Sequence, residues 1–473
     1  MNGVPGMVLN GLREFLDTGV VTSERMRAIE RNAIALGVGT LQMMESAGAA
    51  IANAVRAKGP SKVLVLCGKG NNGADGMAAA RYLQNDLETS VICIGGESRS
   101  DENRLQLRLL GSCAVSVHVV DCPEEVKALK HLFDSADLVV DALLGTGARG
   151  GLREPYRTCV GMANEAEAFI LAVDVPTEGT RADAILALHR PKMEGVDTAC
   201  IGIPLEAEIF TGPGDLLLIP ERSADAHKGA GGRVLVVGGG PYQGAPYLTA
   251  LAALRSGADL VRIASPVAMS FPDLIYEPLE GERIGEEHLE TLLKLSSWAD
   301  VVAIGAGMGP EGHGVAQKLA SCCRRLVVDA DALRTPLPVG EMTIYTPHAG
   351  EFGRMTGVLP PKDLRERARL VKRYARRNGV VVLKGPVDIV SDGERLRFNR
   401  SGCPAMTVGG TGDVLAGAVA AFFCRMPAFE AACAATYANG IAGERAALDR
   451  GDGMIASDLL SFIPAVLRGE KSA

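Results

Sequence analysis

The stretch VLVLCGKGNNGADG, residues 63–76, decides the fold of the first half. Five consecutive apolar residues, 63–67, run into a glycine-punctuated turn, and a helical stretch follows around 78–83. A strand without polar alternation is buried on both faces, as in a parallel sheet covered by helices. The same unit recurs outward from it, with apolar strands expected at 91–94, 115–117, 138–140 and 169–173 and a helix near 124–133. Upstream, SERMRAIERNAIALG starts at a cap, Thr22 or Ser23, and places Met26, Ile29, Ala33 and Leu36 on one helical face. A second helix is expected over 41–55. The stretch IGIPLEAEIFTGPGDLLLIPERSADAHKGAGG, 201–232, breaks the rhythm with prolines, glycines and charges, and sets a boundary near Pro220.

A second α/β run follows, through RVLVVGGG (233–240), DLVRIA (259–264), DVVAIGAG (300–307), RRLVVDAD (324–331), EMTIYTP (341–347) and VVVLKGP (380–386). DIVSDGERLRF (388–398), with Asp392-Gly393 at its turn, predicts an antiparallel edge, and three helices close the chain from about 413 to 467. The reading is α/β: two three-layer α/β/α domains, residues 1–219 and 220–473, with no repeat of fixed period. At 473 residues the chain exceeds what one core usually organises. Aromatics at 4% and 57 glycines suit Ala/Gly-rich helices on short strands better than a β-sandwich.

Charge nearly cancels, 49 basic against 56 acidic residues, so no electrostatic footprint for nucleic acid or a membrane surface is present. The 11 cysteines form no CxxC pair and sit largely in apolar runs, which points to reduced buried thiols and a cytoplasmic protein. The amino-terminal residues lack the pattern of a signal peptide, and the longest apolar run, 414–424, is too short to span a bilayer.

Gly68, Gly70 and Gly73 match GxGxxG, which raises a dinucleotide-binding dehydrogenase. Against it, the next strand ends in Gly95-Gly96 with no acidic residue at its tip, while Asn71, Asn72 and Asp75 put ligand-reaching side chains into the loop. Two further loops, VVDALLGTGARGG and AVDVPTEG, follow strands and bring Asp141 and Asp174 to the carboxyl edge of the same sheet. Each aspartate is either a loop cap or part of one cleft. Asn72, Asp141 and Thr177 supply oxygen donors suited to an alkali or alkaline-earth cation. In the second half SGCPAMTVGGTGDVLAGAVAAFF runs three glycines into an apolar helix, an amide-lined anion hole, with Asp413 placed either to cap the helix or to take a proton from an attacking hydroxyl.

With these motifs in view, the first half, about 20–219, resembles the NAD(P)H-hydrate epimerase (apolipoprotein A-I-binding protein) family through RAIERNAIALG…LQMMESAGAA, GKGNNGADG, DALLGTG and VDVP. The resemblance implies a Rossmann-like fold and a potassium ion at Asn72, Asp141 and Thr177. It further implies hydrate contacts at Asn71, Asn72, Gly73, Ala74 and Asp75 and at Gly145, Thr146, Gly147, Ala148, Arg149, Gly150 and Gly151, with Asp174 as acid/base. Ala74, Ser46 and the PTEG turn depart from that family's glycine, asparagine and proline-serine-glycine.

The second half, about 221–473, resembles the ribokinase-like superfamily and within it the NAD(P)H-hydrate dehydratases, through HKGAGGRVLVVGG, YQGAPYLTALAALRSGADLV, IGAGMG, TPHAGEF, VVLKGP and GGTGD. This resemblance implies hydrate contacts at Ala245, Gly307 and His348, adenine-nucleotide contacts at Lys384, Gly385, Pro386, Val387 and Asp388, phosphate at Gly412, and Asp413 as the base. Asp388 and Cys403 replace a usual threonine and asparagine, and His348 also fits a structural turn. The implied function is epimerisation of the R and S hydrates of NADH and NADPH and ADP-dependent dehydration of the S form, with Mg²⁺ in the second domain. The expected partners are these small molecules, with self-association into a homo-oligomer. Two rivals follow from the same residues: a small-molecule kinase whose product keeps its phosphate, and a first half that binds without turnover.

Overall fold

A computed structural model describes residues 11–96, 100–145, 147, 150–223, 225 and 227–469. The chain forms two compact units: Thr18–Pro204, and Leu205–Ala473 together with Met1–Asp17.

In the unit Thr18–Pro204 the described strands are β1 (Lys62–Cys67), β2 (Glu88–Ile94), β3 (Ser116–Val120), β4 (Leu138–Ala142), β5 (Phe169–Val173), β6 (Ala184–Leu188) and β7 (Asp197–Ala199). Their order is β3-β2-β1-β4-β5-β6-β7, all parallel. The order reverses between β1 and β4, the switch point where open α/β sheets leave a crevice at their carboxyl ends. Thr22 does cap the first helix, Ser23–Ala35, by accepting from Arg25 N at 3.1 Å. Strands β6 and β7 were not anticipated: AILAL is short, and Asp197–Ala199 is largely exposed and carries no apolar pattern. The helix after β1 starts at Asn71, several residues before the apolar run that announced it.

In the other unit the strands are β8 (Arg233–Val237), β9 (Leu260–Ser265), β10 (Ile275–Pro278), β11 (Val301–Ile304), β12 (Arg325–Val328), β13 (Met342–Tyr345), β14 (Val380–Leu383), β15 (Asp388–Ser391) and β16 (Leu396–Asn399). They are ordered β10-β9-β8-β11-β12-β13-β14-β15-β16. Pairing is parallel as far as β14 and antiparallel across β14-β15-β16, the edge that Asp392-Gly393 predicted. One face is covered by helices Ala245–Arg255, Thr411–Phe423, Ala428–Arg450 and Ala456–Gly469, the other by Leu289–Trp298, His313–Ala320 and Leu364–Asn378.

The division falls at Pro204, not near Pro220 as expected, because the apolar residues of 205–219 belong to the second core. Ile209 and Phe210 pack with Phe398, and Leu216 and Ile219 join the opposite face. Residues 11–17 join that unit as well. Phe15 stacks edge-on to Phe398 at 5.7 Å, and Asp17 accepts a paired hydrogen bond from the buried Arg397. No single helix among the described residues is long and apolar enough to cross a membrane.

Candidate functional site

In the first unit the turn between β1 and its helix is fixed by contact. A Cβ on Gly68 would stand 1.7 Å from Leu143 O, and one on Gly73 2.1 Å from Gly68 O, so both positions exclude any side chain. Asn103 Nδ2 braces the turn from below, donating to Gly68 O at 3.0 Å and Gly70 O at 2.8 Å. Asn71 and Asn72 therefore lie on the first turn of a helix, whose leading N–H groups have no partner within it, and Asp75 lies on the turn that follows. Ala74 is fully buried, so its methyl belongs to the packing and not to the ligand-facing surface expected of it.

Asp141, at the end of β4, is buried and holds Thr177. Its Oδ1 accepts from Thr177 Oγ1 at 2.7 Å and from Leu143 N at 3.2 Å, and its Oδ2 accepts from Thr177 N at 2.8 Å. Asn72 packs against Gly145, three residues after the end of β4, whose Cβ would lie 3.3 Å from Asn72 Cβ. Asn72 Nδ2 is buried with no partner among the described residues; half a turn of that amide would present its oxygen there instead. Thr146, Ala148 and Arg149 lie outside the described residues; Gly147, Gly150 and Gly151 are exposed.

Asp174 follows β5 with φ 67°, a left-handed conformation uncommon outside glycine. Its Oδ1 accepts from Lys192 Nζ at 2.5 Å and Leu188 N at 3.3 Å. Asp75 and, from the helix Ser23–Ala35, Glu30 face the same place. Burial raises the pKa of Asp75 well above the carboxylate range; Glu30 and Asp174 add to the rise and Lys192 opposes it. Glu30 is raised chiefly by burial too. Glu30 and Lys192 carried no signal in the sequence, since one sits on an amphipathic helix and the other in a segment without strong pattern.

In the second unit the glycine-rich run 409–412 leads into the start of a helix. Helix Thr411–Phe423 begins after Gly410, which has φ 98° and occupies the cap position, so Asp413 is a first-turn residue and not the cap. Burial pushes the Asp413 carboxyl up to about 7, helped by Asp329 and Glu351 and opposed by Lys384. Lys384 Nζ lies 2.9 Å from Asp329 Oδ1 and 3.6 Å from Glu351 Oε2, and 3.1 Å from where a Gly412 Cβ would be. Burial alone would lower the Lys384 ammonium, but Asp329 and Glu351 hold its pKa above the usual lysine value. Asp329 and Glu351 went unassigned in the sequence. Asp329 closes a strand like the other cleft aspartates, and Glu351 stands three residues after His348, the capping-box spacing.

His348 does cap a helix: its Nδ1 accepts from Gly350 N at 3.0 Å and Glu351 N at 3.3 Å, and Glu351 Oε2 accepts from His348 N at 2.8 Å. The imidazole itself stays exposed on the carboxyl edge, bridged through backbone to Lys384. Gly307, at φ 66°, passes under the 240–244 loop, where a Cβ would stand 2.2 Å from Tyr242 O. Ala245 opens helix Ala245–Arg255, whose Leu248 touches Gly410. Gly385, Pro386 and Val387 form the turn after β14. Asp388 differs from its expected role, because its carboxylate turns inward to Asn399 Nδ2 and Gly385 N, each at 2.9 Å, instead of toward a ligand. Burial raises its pKa to about 6.

Two families of known proteins match the chain, one in each half. The family described as NAD(P)H-hydrate dehydratase matches residues 234–465, and the family described as YjeF-related protein N-terminus matches 40–194. A relative from Methanospirillum hungatei, named a bifunctional NAD(P)H-hydrate repair enzyme, is 51% identical over 96% of this chain and 95% of its own. Another of that name from Pyrobaculum aerophilum is 41% identical over 95% and 98%. Among solved structures, an ADP/ATP-dependent NAD(P)H-hydrate dehydratase from Bacillus subtilis, co-crystallised with ATP/Mg²⁺, aligns with 27% identity and TM-score 0.48 over 55% of this chain and 99% of its own. The chain belongs to the family of bifunctional NAD(P)H-hydrate repair enzymes.

Proposed function

We propose that this chain returns hydrated NADH and NADPH to use, its first unit interconverting the R and S hydrates and its second dehydrating the S form at the expense of ADP. The observation that carries the second step is the setting of Asp413, a carboxyl of near-neutral proton affinity at an amide-lined helix start beside Lys384. Hydroxide leaves poorly from C6 of the hydrated ring and phosphate leaves well. Asp413 takes the C6 hydroxyl proton as that oxygen attacks the terminal phosphoryl of ADP. Lys384 and the N–H groups at Gly412 stabilise the charge on the transferring group. The ring nitrogen then expels phosphate, and loss of a C5 proton regenerates the dihydronicotinamide. Ala245, Gly307 and His348 border the hydrate, and the 384–387 turn borders the adenine nucleotide.

Asp329, Glu351 and Asp413 outnumber the one ammonium between them, a surplus of negative charge that suits Mg²⁺ on the nucleotide phosphates. In the first unit one carboxylate, one hydroxyl and one amide suit K⁺ better than a divalent ion, with Asn72, Asp141 and Thr177 as its ligands. Asp174 serves as acid/base there. Eleven free thiols support a reducing, cytoplasmic setting, and we expect a homo-oligomer.

The test mixes both hydrate epimers with protein and either ADP or ATP, following dihydronicotinamide absorbance, released phosphate and epimer ratio together. One phosphate per NADH restored, with R hydrate consumed as well as S, is the expected result. A stable phosphorylated product without NADH would make the second unit a kinase.

A further inference from the structure

The turn 384–387 joins β14 to β15 at the carboxyl edge of the second sheet, and its two ends are held by different means. At the first, Lys384 N donates to Pro347 O at 2.8 Å, and the residue bridges to His348. At the second, Gly385 N donates to Asp388 Oδ1 at 2.9 Å, so a side chain closes the turn. Gly385 and Pro386 are exposed, and hydrogen bonds rather than packing set the backbone there. The other Asp388 oxygen accepts from Asn399 Nδ2 at 2.9 Å, its direct partner across the β15-β16 pair. Asn399 is 1% exposed and its amide is fully engaged. Its Nδ2 also donates to Ser401 O at 3.3 Å and Thr436 O at 3.4 Å, while its Oδ1 accepts from Thr211 Oγ1 at 2.8 Å and Ser401 Oγ at 2.7 Å. Thr211 is tied in turn by its N–H to Phe398 O at 2.8 Å. The Asn399 amide cannot turn over without setting its oxygen against a carboxylate and two carbonyls, so Asp388 meets a donor in one fixed place.

We propose that Asp388 and Asn399 are positioning residues for the nucleotide: Asn399 fixes the Asp388 carboxylate, and the carboxylate holds the 384–387 turn in the shape that receives ADP. The proposal rests on the dehydratase reading above and deepens it. Asp388 acts from behind the turn and not against the ligand, since both its oxygens are engaged within the protein. Ordering a loose turn on binding costs conformational entropy, and a turn ordered beforehand avoids that cost, so the brace is read in nucleotide affinity. Catalysis is left largely alone, because Lys384 has anchors of its own in Pro347 O and in Asp329 Oδ1 at 2.9 Å. Hydrate binding is left alone as well, since Ala245, Gly307 and His348 stand on other loops.

The experiment uses the full chain with S hydrate, Mg²⁺ and ADP, and measures kcat and both KM values. Asp388→Ala strips Gly385 N–H of its acceptor and is expected to raise KM for ADP about tenfold, with kcat and KM for the hydrate within about threefold. Asp388→Asn keeps an oxygen for Gly385 N and is expected to bring KM for ADP back to within about threefold of wild type. Asn399→Ala raises KM for ADP as Asp388→Ala does. The double variant goes no further than the larger single change, since both residues act through one brace. An Asp388→Ala protein with wild-type KM for ADP overturns the proposal. So does an Asn399→Ala protein with wild-type KM, which decides the matter even if Asp388→Ala fails to fold. Asp388→Asn as impaired as Asp388→Ala also overturns it, because the charge would then serve the nucleotide directly. No NADH formed by wild type with ADP or ATP would instead remove the dehydratase reading itself.

Discussion

The Lys384 ammonium lies 2.9 Å from Asp329 Oδ1, and this ion pair limits the proton affinity of a third residue, Asp413. Burial, Asp329 and Glu351 push the Asp413 carboxyl up, and Lys384 and a backbone hydrogen bond pull it down, leaving it at about 7. A base must be unprotonated to work. The kcat/KM for dehydration, which reports the free enzyme, therefore rises with pH through about 7 and levels off above it. A flat profile between pH 5.5 and 8.5 would exclude Asp413 as the titrating base.

Removing the ammonium should move that limb. Lys384→Met leaves Asp329, Glu351 and Asp413 facing one another without compensation, so the limb shifts above pH 7. Nucleotide affinity falls roughly tenfold or more, the size of one charge-assisted hydrogen bond. Titration calorimetry with ADP and the pH–rate profile check the two parts separately.

Asp413→Asn is expected to abolish dehydration while raising stability. A buried carboxyl with a raised folded pKa binds its proton more tightly folded than unfolded, so stability falls as pH climbs from the ordinary value of 3.8 to about 7 and stays lowered above. The amide carries no such penalty. Its melting temperature should exceed wild type at pH 8 and match it near pH 4; equal values at both would contradict the burial argument.

Gly68→Ala should unfold the first unit selectively. Its Cβ would stand 1.7 Å from Leu143 O, a backbone atom that cannot yield, and a loss of roughly 3 kcal/mol or more is expected. Gly70→Ala meets open space and should change stability by no more than about 0.5 kcal/mol. Denaturant titration of both variants gives the comparison.

A fragment spanning 18–204 should fold and exchange hydrate epimers, whereas one spanning 1–219 should aggregate. The longer piece carries Phe15, Ile209, Phe210 and Leu216, all 5% exposed or less, without the core that buries them. Asp17→Ala in the full chain strands the buried Arg397 guanidinium and should cost about 3–5 kcal/mol. Light scattering and cooperative unfolding curves decide between these outcomes.

The βα rhythm, the antiparallel edge and the two glycine-rich turns were legible because each is a local matter. A buried strand must be apolar, a tight turn must take glycine, and a helix start must leave its amides free. Asn72, Asp141 and Asp174 follow strands, so the sequence by itself placed them at the carboxyl edge of the first sheet, and Asp413 was legible as a helix-start residue; Lys384 came from the family resemblance. The inward turn of Asp388, the cap at Gly410 in place of Asp413, and the allegiance of residues 11–17 and 205–219 were decided only by tertiary structure. Asp388 depends on Asn399 across the hairpin, Gly410 packs against Leu248 and Ala456, and residues 11–17 and 205–219 depend on Phe398 and Arg397, far along the chain. The same holds for the meeting of Glu30, Asp75, Asp174 and Lys192. A charge has no periodicity to betray its neighbour, and what it will face is set when strands and helices from distant segments pack.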